Sequence, residues 1–329
     1  MKKREPPVKT GSRAERGSST APAYRFSGHE TFPCRYSWLP KAFAELTRNP
    51  ELFANEELAM VRLGVGRNMV KAIRFWVQAS GIAASGNRGL EPTEFGTQLL
   101  TEPEGFDPYL EDIRTLWLIH WKIASNAREP LFAWEFLLNR WQHPEITRSE
   151  VMSAFVQEAG RMERKLSLVT LEQHFDTFLH TYIPTRNAKG DVREDNLDSP
   201  LVELDLIRRI GEKRTEENGR TESVYAFNRE SKHAITPELF VFCVDDYWRS
   251  RFPNEETLSF RDLAVNVGSI GQLFKLPESD IRDRLQTIHT DSKGAFSYRE
   301  SSALSQLERD PTTPIKPLSL VFETEVTYA

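Results

Sequence analysis

Five polar side chains that can contact DNA recur along one stretch of the chain at the spacing of one helical face. They are Arg67, Asn68, Lys71, Arg74 and Gln78. Arginine and lysine bind phosphates or guanine edges, whereas asparagine and glutamine pair with adenine. Because most of these residues lie three or four positions apart, they share a face if the stretch is helical. The chemistry that this pattern predicts is recognition of duplex DNA.

Two short helices joined by a tight turn must position these side chains. The apolar residues that alternate with the polar ones are Val70, Ile73 and Val77. This alternation predicts an amphipathic helix over 66–79, preceded by a helix over 56–63. Gly64 lies between them and can adopt the left-handed conformation that ends a helix. Such a pair matches a helix-turn-helix, whose second helix enters the major groove.

The residues after this pair predict a short wing. A turn and a short strand precede a helix with Thr93 as its N-cap, and Arg88 would lie at the wing tip. We therefore add Arg88 to the predicted DNA contacts. Two alternatives remain open, because helix-turn-helix units also dock other proteins and a basic helical face can simply be solvated. Met60 also departs from the alanine that the motif usually has.

A second group of reactive residue types lies in FSGHETFPCRYSWL. His29, Arg35 and Tyr36 are predicted to contact a phosphate. His29 with Cys34 suggests the start of a zinc site or a nucleophilic pair, but no second pair at ligand spacing follows. We expect no metal and no cofactor. The alternative is a structural segment that packs its aromatic residues on the core, namely Phe26, Phe32 and Trp38.

Acidic residues cluster in two places. Asp245 and Asp246 are adjacent, and a polar stretch holds a second group. Its members are Asp191, Glu194, Asp195 and Asp198. Clustered carboxylates can hold Mg²⁺ in a nuclease, but a solvated acidic loop is the simpler interpretation. We expect no enzymatic activity and keep a metal-dependent nuclease as an alternative.

Composition indicates a folded protein in a reducing compartment. Of its 329 residues 39% are hydrophobic, the formal net charge is −5, and only two residues are cysteines. The net charge means that DNA contact needs a local basic patch. Because no apolar run approaches about 18 residues, we expect a cytoplasmic protein without membrane contact.

The predicted fold is mainly α with short β-strands, in the α+β class. Residues 1–23 are predicted to be a disordered basic tail. Residues 24–185 would form a winged helix-turn-helix-like and helical domain. Residues 186–329 would form a helical C-terminal domain with a β-hairpin, suited to protein contacts. In that half, Thr236 is a predicted N-cap followed by proline at the first helical position.

Several stretches resemble the bacterial domain-of-unknown-function family 4007. They are FSGHETFPCRYSWLPKAF, LGVGRNMVKAIRFWVQASGI, LEPTEFG, DNLDSPLVELDLI and GSIGQLFKLPESDI. The resemblance covers about residues 24–310. It implies genes in DNA-modification and phage-defence clusters, which often include a sulfurtransferase-like protein of the phosphoadenosine-phosphosulfate reductase type, as in DNA phosphorothioation. It implies no catalytic residues.

The helix-turn-helix pattern predicts a protein that binds double-stranded DNA, and the family resemblance implies an accessory subunit of such a system that docks the sulfurtransferase-like partner. Two alternatives belong to other classes. An autoregulatory transcriptional repressor would bind as a dimer to a palindromic operator. A metal-dependent nuclease would use the acidic clusters. The oligomeric state is left open.

Overall fold

The structure, a computed structural model, describes residues 23–184, 199–215, 219–301, 304–315 and 317–323. Within these ranges the chain forms thirteen α-helices and three small antiparallel sheets. The predicted α+β class is therefore confirmed. The predicted basic tail and the acidic group between Asp191 and Asp198 lie outside the described residues, apart from residue 23 of the tail. None of the described helices is long and apolar enough to cross a membrane.

The first part of the chain forms a helical group with one hairpin. Its elements are α1 (Trp38–Arg48), α2 (Glu56–Leu63), α3 (Arg67–Ala79), β1 (Ala83–Gly86), β2 (Gly89–Pro92) and α4 (Glu94–Leu100). β1 and β2 pair antiparallel, with Ser85 opposite Leu90. Thr93 caps α4 by accepting a hydrogen bond from the Gly96 amide, as predicted. A single turn of 3₁₀ helix, Leu52–Ala54, precedes α2.

Aromatic side chains build the centre of the molecule. The helices here are α5 (Ile113–Ser125), α6 (Phe132–Glu135), α7 (Arg148–Arg161) and α8 (Leu168–Tyr182). A short π-helical segment, Phe136–Arg140, continues α6. Trp117, Trp121 and Trp134 are fully buried. The stretch from Arg148 to Tyr182 thus holds two helices, α7 and α8.

The remaining residues form helices around two small sheets. The elements in chain order are β3 (Ile207–Arg214), β4 (Thr221–Phe227), α9 (Pro237–Arg251), β5 (Thr257–Ser259), α10 (Phe260–Ala264), α11 (Ile270–Phe274), α12 (Glu278–Asp291), β6 (Phe296–Glu300), β7 (Ser305–Arg309) and α13 (Pro317–Glu323). β3 and β4 form the predicted hairpin, and β7 lies between β5 and β6. Thr236 caps α9, as predicted.

One hydrophobic core runs from Phe26 to Val321 and includes residues of both predicted domains. A buried polar chain also crosses between them. His120 donates from Nε2 to the Leu273 carbonyl at 3.0 Å and accepts the Tyr182 hydroxyl proton at Nδ1, at 2.7 Å. Trp134 completes the chain by donating to the same hydroxyl. The predicted boundary lies outside the described residues, so the division into domains stays a prediction.

Candidate nucleic-acid interface

α3 has one buried face and one exposed polar face. Its buried side chains include Val70, Ile73 and Val77, together with Phe75 and Trp76. The exposed side chains are Arg67, Asn68, Lys71 and Arg74, which we call the α3 face. Gln78, at the far end, is half-buried. The amphipathic pattern predicted from the spacing is confirmed, except that Gln78 is half-buried and not exposed.

Local sequence explains how α3 is set against α2. Gly64 takes the left-handed conformation with φ +64°, and its amide donates to the Met60 carbonyl. Gly66 is extended and forms the N-cap of α3, whose first turn holds no acidic residue. A distant anchor completes the placement, because the Trp76 indole donates to the Phe32 carbonyl at 2.9 Å. Because the first turn of α3 holds no acidic residue, the positive end of the helix dipole has no carboxylate from the same helix beside it.

The cations of the α3 face differ in their surroundings. Arg67 forms an ion pair with Glu56 of α2, with Nε and Oε2 3.1 Å apart. Within the described part of the chain, Lys71 and Arg74 form no ion pair. A phosphate can therefore approach Lys71 and Arg74 without displacing a carboxylate. At Arg67 it must compete with Glu56.

Arg88 lies in the turn between β1 and β2, as predicted, and is exposed. Its backbone amide and its guanidinium both contact the Glu91 carboxylate, at 3.1 and 3.5 Å. The ion pair is largely solvent-exposed, so it is weak and easily exchanged. Arg88 remains able to reach a ligand beside the hairpin.

The structure corrects the prediction for His29. Its side chain is only 3% exposed and lies in the core against Phe75 of α3. Nε2 lies 3.0 Å from Nδ1 of His174, and Nδ1 lies 3.1 Å from the Thr177 hydroxyl. Burial lowers the pKa of His29 to about 4. A buried, neutral ring with both nitrogens engaged does not contact a phosphate.

The other two predicted phosphate contacts are half-buried. The Arg35 guanidinium lies over the rings of Phe32 and Trp38, at 5.9 and 5.4 Å from their centroids. The Tyr36 hydroxyl donates to the Glu203 carboxylate. This segment packs its aromatic residues on the core, as the structural alternative expected. The phosphate role of Arg35 and Tyr36 stays a prediction, and the carboxylate beside Tyr36 disfavours it.

Cys34 and the acidic pair Asp245 and Asp246 lie against groups that bury or engage their side chains. Cys34 is fully buried, and burial raises the pKa of its thiol. Asp246 accepts from the Trp121 indole at 2.8 Å and from the Lys122 ammonium at 2.7 Å. Asp245 is held by Arg249. Over the ranges that the structure describes, no three His, Cys, Asp or Glu side chains gather closely enough to hold a metal ion.

A second exposed basic surface, which sequence reasoning did not single out, lies on strand β3. Its cations are Arg208, Arg209, Lys213 and Arg214. Arg208 pairs with Asp205 and Glu230, Arg209 with Glu212, and Lys213 with Glu150. Arg214 donates to the Gly219 carbonyl. We call these four residues the β3 cations.

Comparison with known proteins identifies the family of this chain. The sequence model of the family described as "Protein of unknown function (DUF4007)" matches residues 26–320. This chain belongs to the DUF4007 family. The resemblance seen in the sequence is therefore confirmed. Among curated proteins, none matches the chain.

Two solved structures are similar to this DUF4007 protein over most of its length. One is a crystal structure of SspB, with 26% sequence identity, and the other is a magnesium ion-bound crystal structure of SspB, with 25% identity. In both cases the TM-score is 0.74, and the match covers 92% of this chain and 87% of the SspB chain. The likeness thus extends beyond the α3 face to nearly the whole fold.

Proposed function

We propose that this DUF4007 protein is a non-enzymatic DNA-binding accessory subunit of a bacterial DNA-modification and defence system of the phosphorothioation type. In this role α2 and α3 act as a helix-turn-helix, and β1 and β2 act as its wing. The observation that carries the proposal is how Lys71 and Arg74 are exposed and paired. Both are exposed and without an ion-pair partner among the described residues, on a helix whose opposite face is buried.

Each part of the α3 face has a distinct task in this proposal. Asn68 lies in the first turn, where the helix dipole favours the negative charge of a phosphate or a base acceptor. Lys71 and Arg74 follow along the same face and contact phosphates or guanine edges. Arg67 contributes less because Glu56 competes for it. Arg88 of the wing contacts the flanking backbone.

The assignment to a DNA-modification system rests on the family and on the likeness to SspB. The family resemblance implies a sulfurtransferase-like partner of the phosphoadenosine-phosphosulfate reductase type. We propose that this protein holds that partner beside the duplex. A pull-down from the native bacterium, with and without nuclease treatment, tests this. A partner that stays bound after nuclease treatment is held through protein contacts, whereas one lost with the DNA is not docked.

The decisive test of DNA binding is a salt titration with variants of matched charge change. Lys71→Ala/Arg74→Ala should weaken binding to a duplex about 10-fold or more and reduce the salt slope by about two. The control is Arg209→Ala/Lys213→Ala, which removes two cations that are already paired. It should change affinity less than about twofold.

Thermal melts accompany both variants, since all four side chains are exposed and each replacement should change the free energy of unfolding by about 0.5 kcal/mol or less. A folded Lys71→Ala/Arg74→Ala protein with unchanged affinity and slope would refute the DNA-binding role. The helical pair would then be a docking or scaffold hairpin.

A metal-dependent nuclease is the second candidate, because one of the similar SspB structures contains a magnesium ion. The described residues do not fit such a site, since the carboxylates of Asp245 and Asp246 are engaged by cationic or indole groups. Any ligands would come from the acidic group around Asp195, outside the described residues. Incubation of the protein with plasmid and Mg²⁺ or Mn²⁺ tests this. Cutting that is lost in Asp195→Ala or Asp245→Ala, but kept in the exposed control Asp283→Ala, would establish an enzyme.

A further inference from the structure

A cleft of about 370 Å³ lies beside the α3 face, between α3 and the β1–β2 hairpin. It is lined by Arg74 of α3 and by Ser85 and Arg88 of the hairpin. Phe53 and Leu90 also line it. A volume of this size is within the range of small-ligand pockets. The cleft thus adjoins the residues that the proposed function assigns to DNA.

The cleft combines an apolar surface with a polar rim. Phe53 and Leu90 are only 8% and 5% exposed, so they form a floor rather than a rim. Arg74 and Arg88 supply two guanidinium groups at the rim. Glu51 is the acidic residue of the lining, and its carboxylate makes no hydrogen bond or ion pair with the residues that the structure describes. Such walls suit a flat, partly apolar group that carries a donor and is flanked by negative charge.

Backbone contacts fix the shape of the cleft. The Leu90 amide donates to the Pro50 carbonyl at 3.0 Å, which ties the hairpin to the segment before α2. Gly89 has φ +131°, and a Cβ there would lie 2.5 Å from the Pro50 oxygen. No side chain therefore fits between hairpin and segment. A cleft held in this way binds its ligand without a large ordering cost.

We propose that this cleft binds one unstacked nucleotide of the DNA on which α3 docks. The base lies on the Phe53–Leu90 floor, where an aromatic ring and an aliphatic side chain can stack against it. Glu51 accepts from an exocyclic amino group, which favours cytosine or adenine over thymine. Arg74 and Arg88 bind the flanking phosphates. The inference rests on the proposed DNA-binding role and adds a preference for duplexes with an unpaired nucleotide.

The test compares two probes, a fully paired duplex and the same duplex with a single unpaired cytosine. Unstacking a paired base costs free energy, whereas an already unpaired base does not carry that cost. We therefore expect the full-length protein to bind the bulged duplex about 10-fold more tightly. Equal affinity for the two probes would overturn the inference and leave the proposed function standing. Binding to neither probe would overturn both.

A substitution that fills the cleft, and a control on the opposite face of the same strand, test whether the preference for the bulged duplex depends on the cleft. Ser85 pairs with Leu90 across the hairpin, so both side chains face the cleft, while Ala84 faces the other side of the same strand. Ser85→Trp should abolish the preference for the bulged duplex and change affinity for the paired duplex less than about twofold. Ala84→Trp should keep the preference. A preference retained by folded Ser85→Trp would contradict the inference.

Glu51→Gln provides an independent variant that leaves the cleft open. The wild-type protein should prefer an unpaired cytosine over an unpaired thymine by about fivefold, because one charge-assisted hydrogen bond distinguishes them. Glu51→Gln should lose this discrimination and keep its affinity for the paired duplex. Identical discrimination in the variant would exclude the carboxylate from base contact.

Discussion

The α3 face and the β3 cations are two exposed basic surfaces, and the ion pairs of their cations distinguish them. On β3, Arg208, Arg209 and Lys213 each contact a carboxylate. On α3, Lys71 and Arg74 contact none among the described residues. A phosphate that binds a paired cation first displaces its partner, so the gain in free energy is small. The number of cations on a surface therefore does not by itself indicate a DNA-binding site.

We expect the strongest effect from a substitution in the core beneath the α3 face. Val70 is 3% exposed, whereas Lys71 beside it is exposed. Val70→Asp buries a carboxylate without a partner and should cost several kcal/mol, enough to unfold the protein. Lys71→Asp should remain folded with a nearly unchanged melting temperature and lose DNA binding. Circular dichroism melts of both variants measure this, and a stable Val70→Asp protein would contradict the assignment of the buried face.

Acid should affect the α3 face through the core that supports it. Burial lowers the pKa of His29 and His120 to about 4, and that of His174 well below 6.5. In the unfolded chain these histidines bind protons near pH 6.5, whereas in the native state they stay neutral to lower pH. Their contribution to the free energy of unfolding is therefore complete above pH 6.5 and is lost between pH 6.5 and 4. Thermal melts across this window should show the loss.

The exposed His143 offers the control for the acid effect. His143→Ala should leave the pH dependence of the melting temperature unchanged, since this exposed side chain lies outside the buried core. If the melting temperature of the wild-type protein does not change between pH 6.5 and 4, the buried histidines are not held neutral.

Releasing the β3 cations from their carboxylates tests whether ion pairing distinguishes the two surfaces. Glu150 pairs with Lys213, and Glu212 with Arg209. If the ion pairs with carboxylates keep these cations from binding phosphates, Glu150→Gln/Glu212→Gln should raise affinity for any duplex by about threefold and increase the salt slope. Electrophoretic mobility shifts at several salt concentrations measure this. No change would mean that the position of β3, and not its pairing, keeps it from DNA.

The smallest expected effect concerns Arg67. Glu56→Gln removes the carboxylate that holds it at 3.1 Å and should strengthen duplex binding by about twofold. Glu57→Gln, one residue along the same helix, removes an equal charge without freeing Arg67 and should have less effect. Equal effects of both variants would assign the gain to net charge alone.

Local sequence encodes those features that depend on residues a few positions apart. The period of Val70 and Ile73 against Lys71 and Arg74 predicted which side of α3 is buried, because helical geometry alone sets those faces. Gly64, Thr93 and Thr236 marked helix ends, since left-handed turns and side-chain caps satisfy backbone groups within four residues.

Which polar groups remain free depends on how distant segments of the chain pack together. His29 looked available for a phosphate, but its partner His174 lies 145 residues away and is brought beside it by packing. Lys213 and Glu150 are 63 residues apart. The cleft at Phe53 and Leu90 likewise exists because the hairpin folds back on Pro50. Such contacts depend on how helices and strands pack together, and no local period or cap encodes that arrangement.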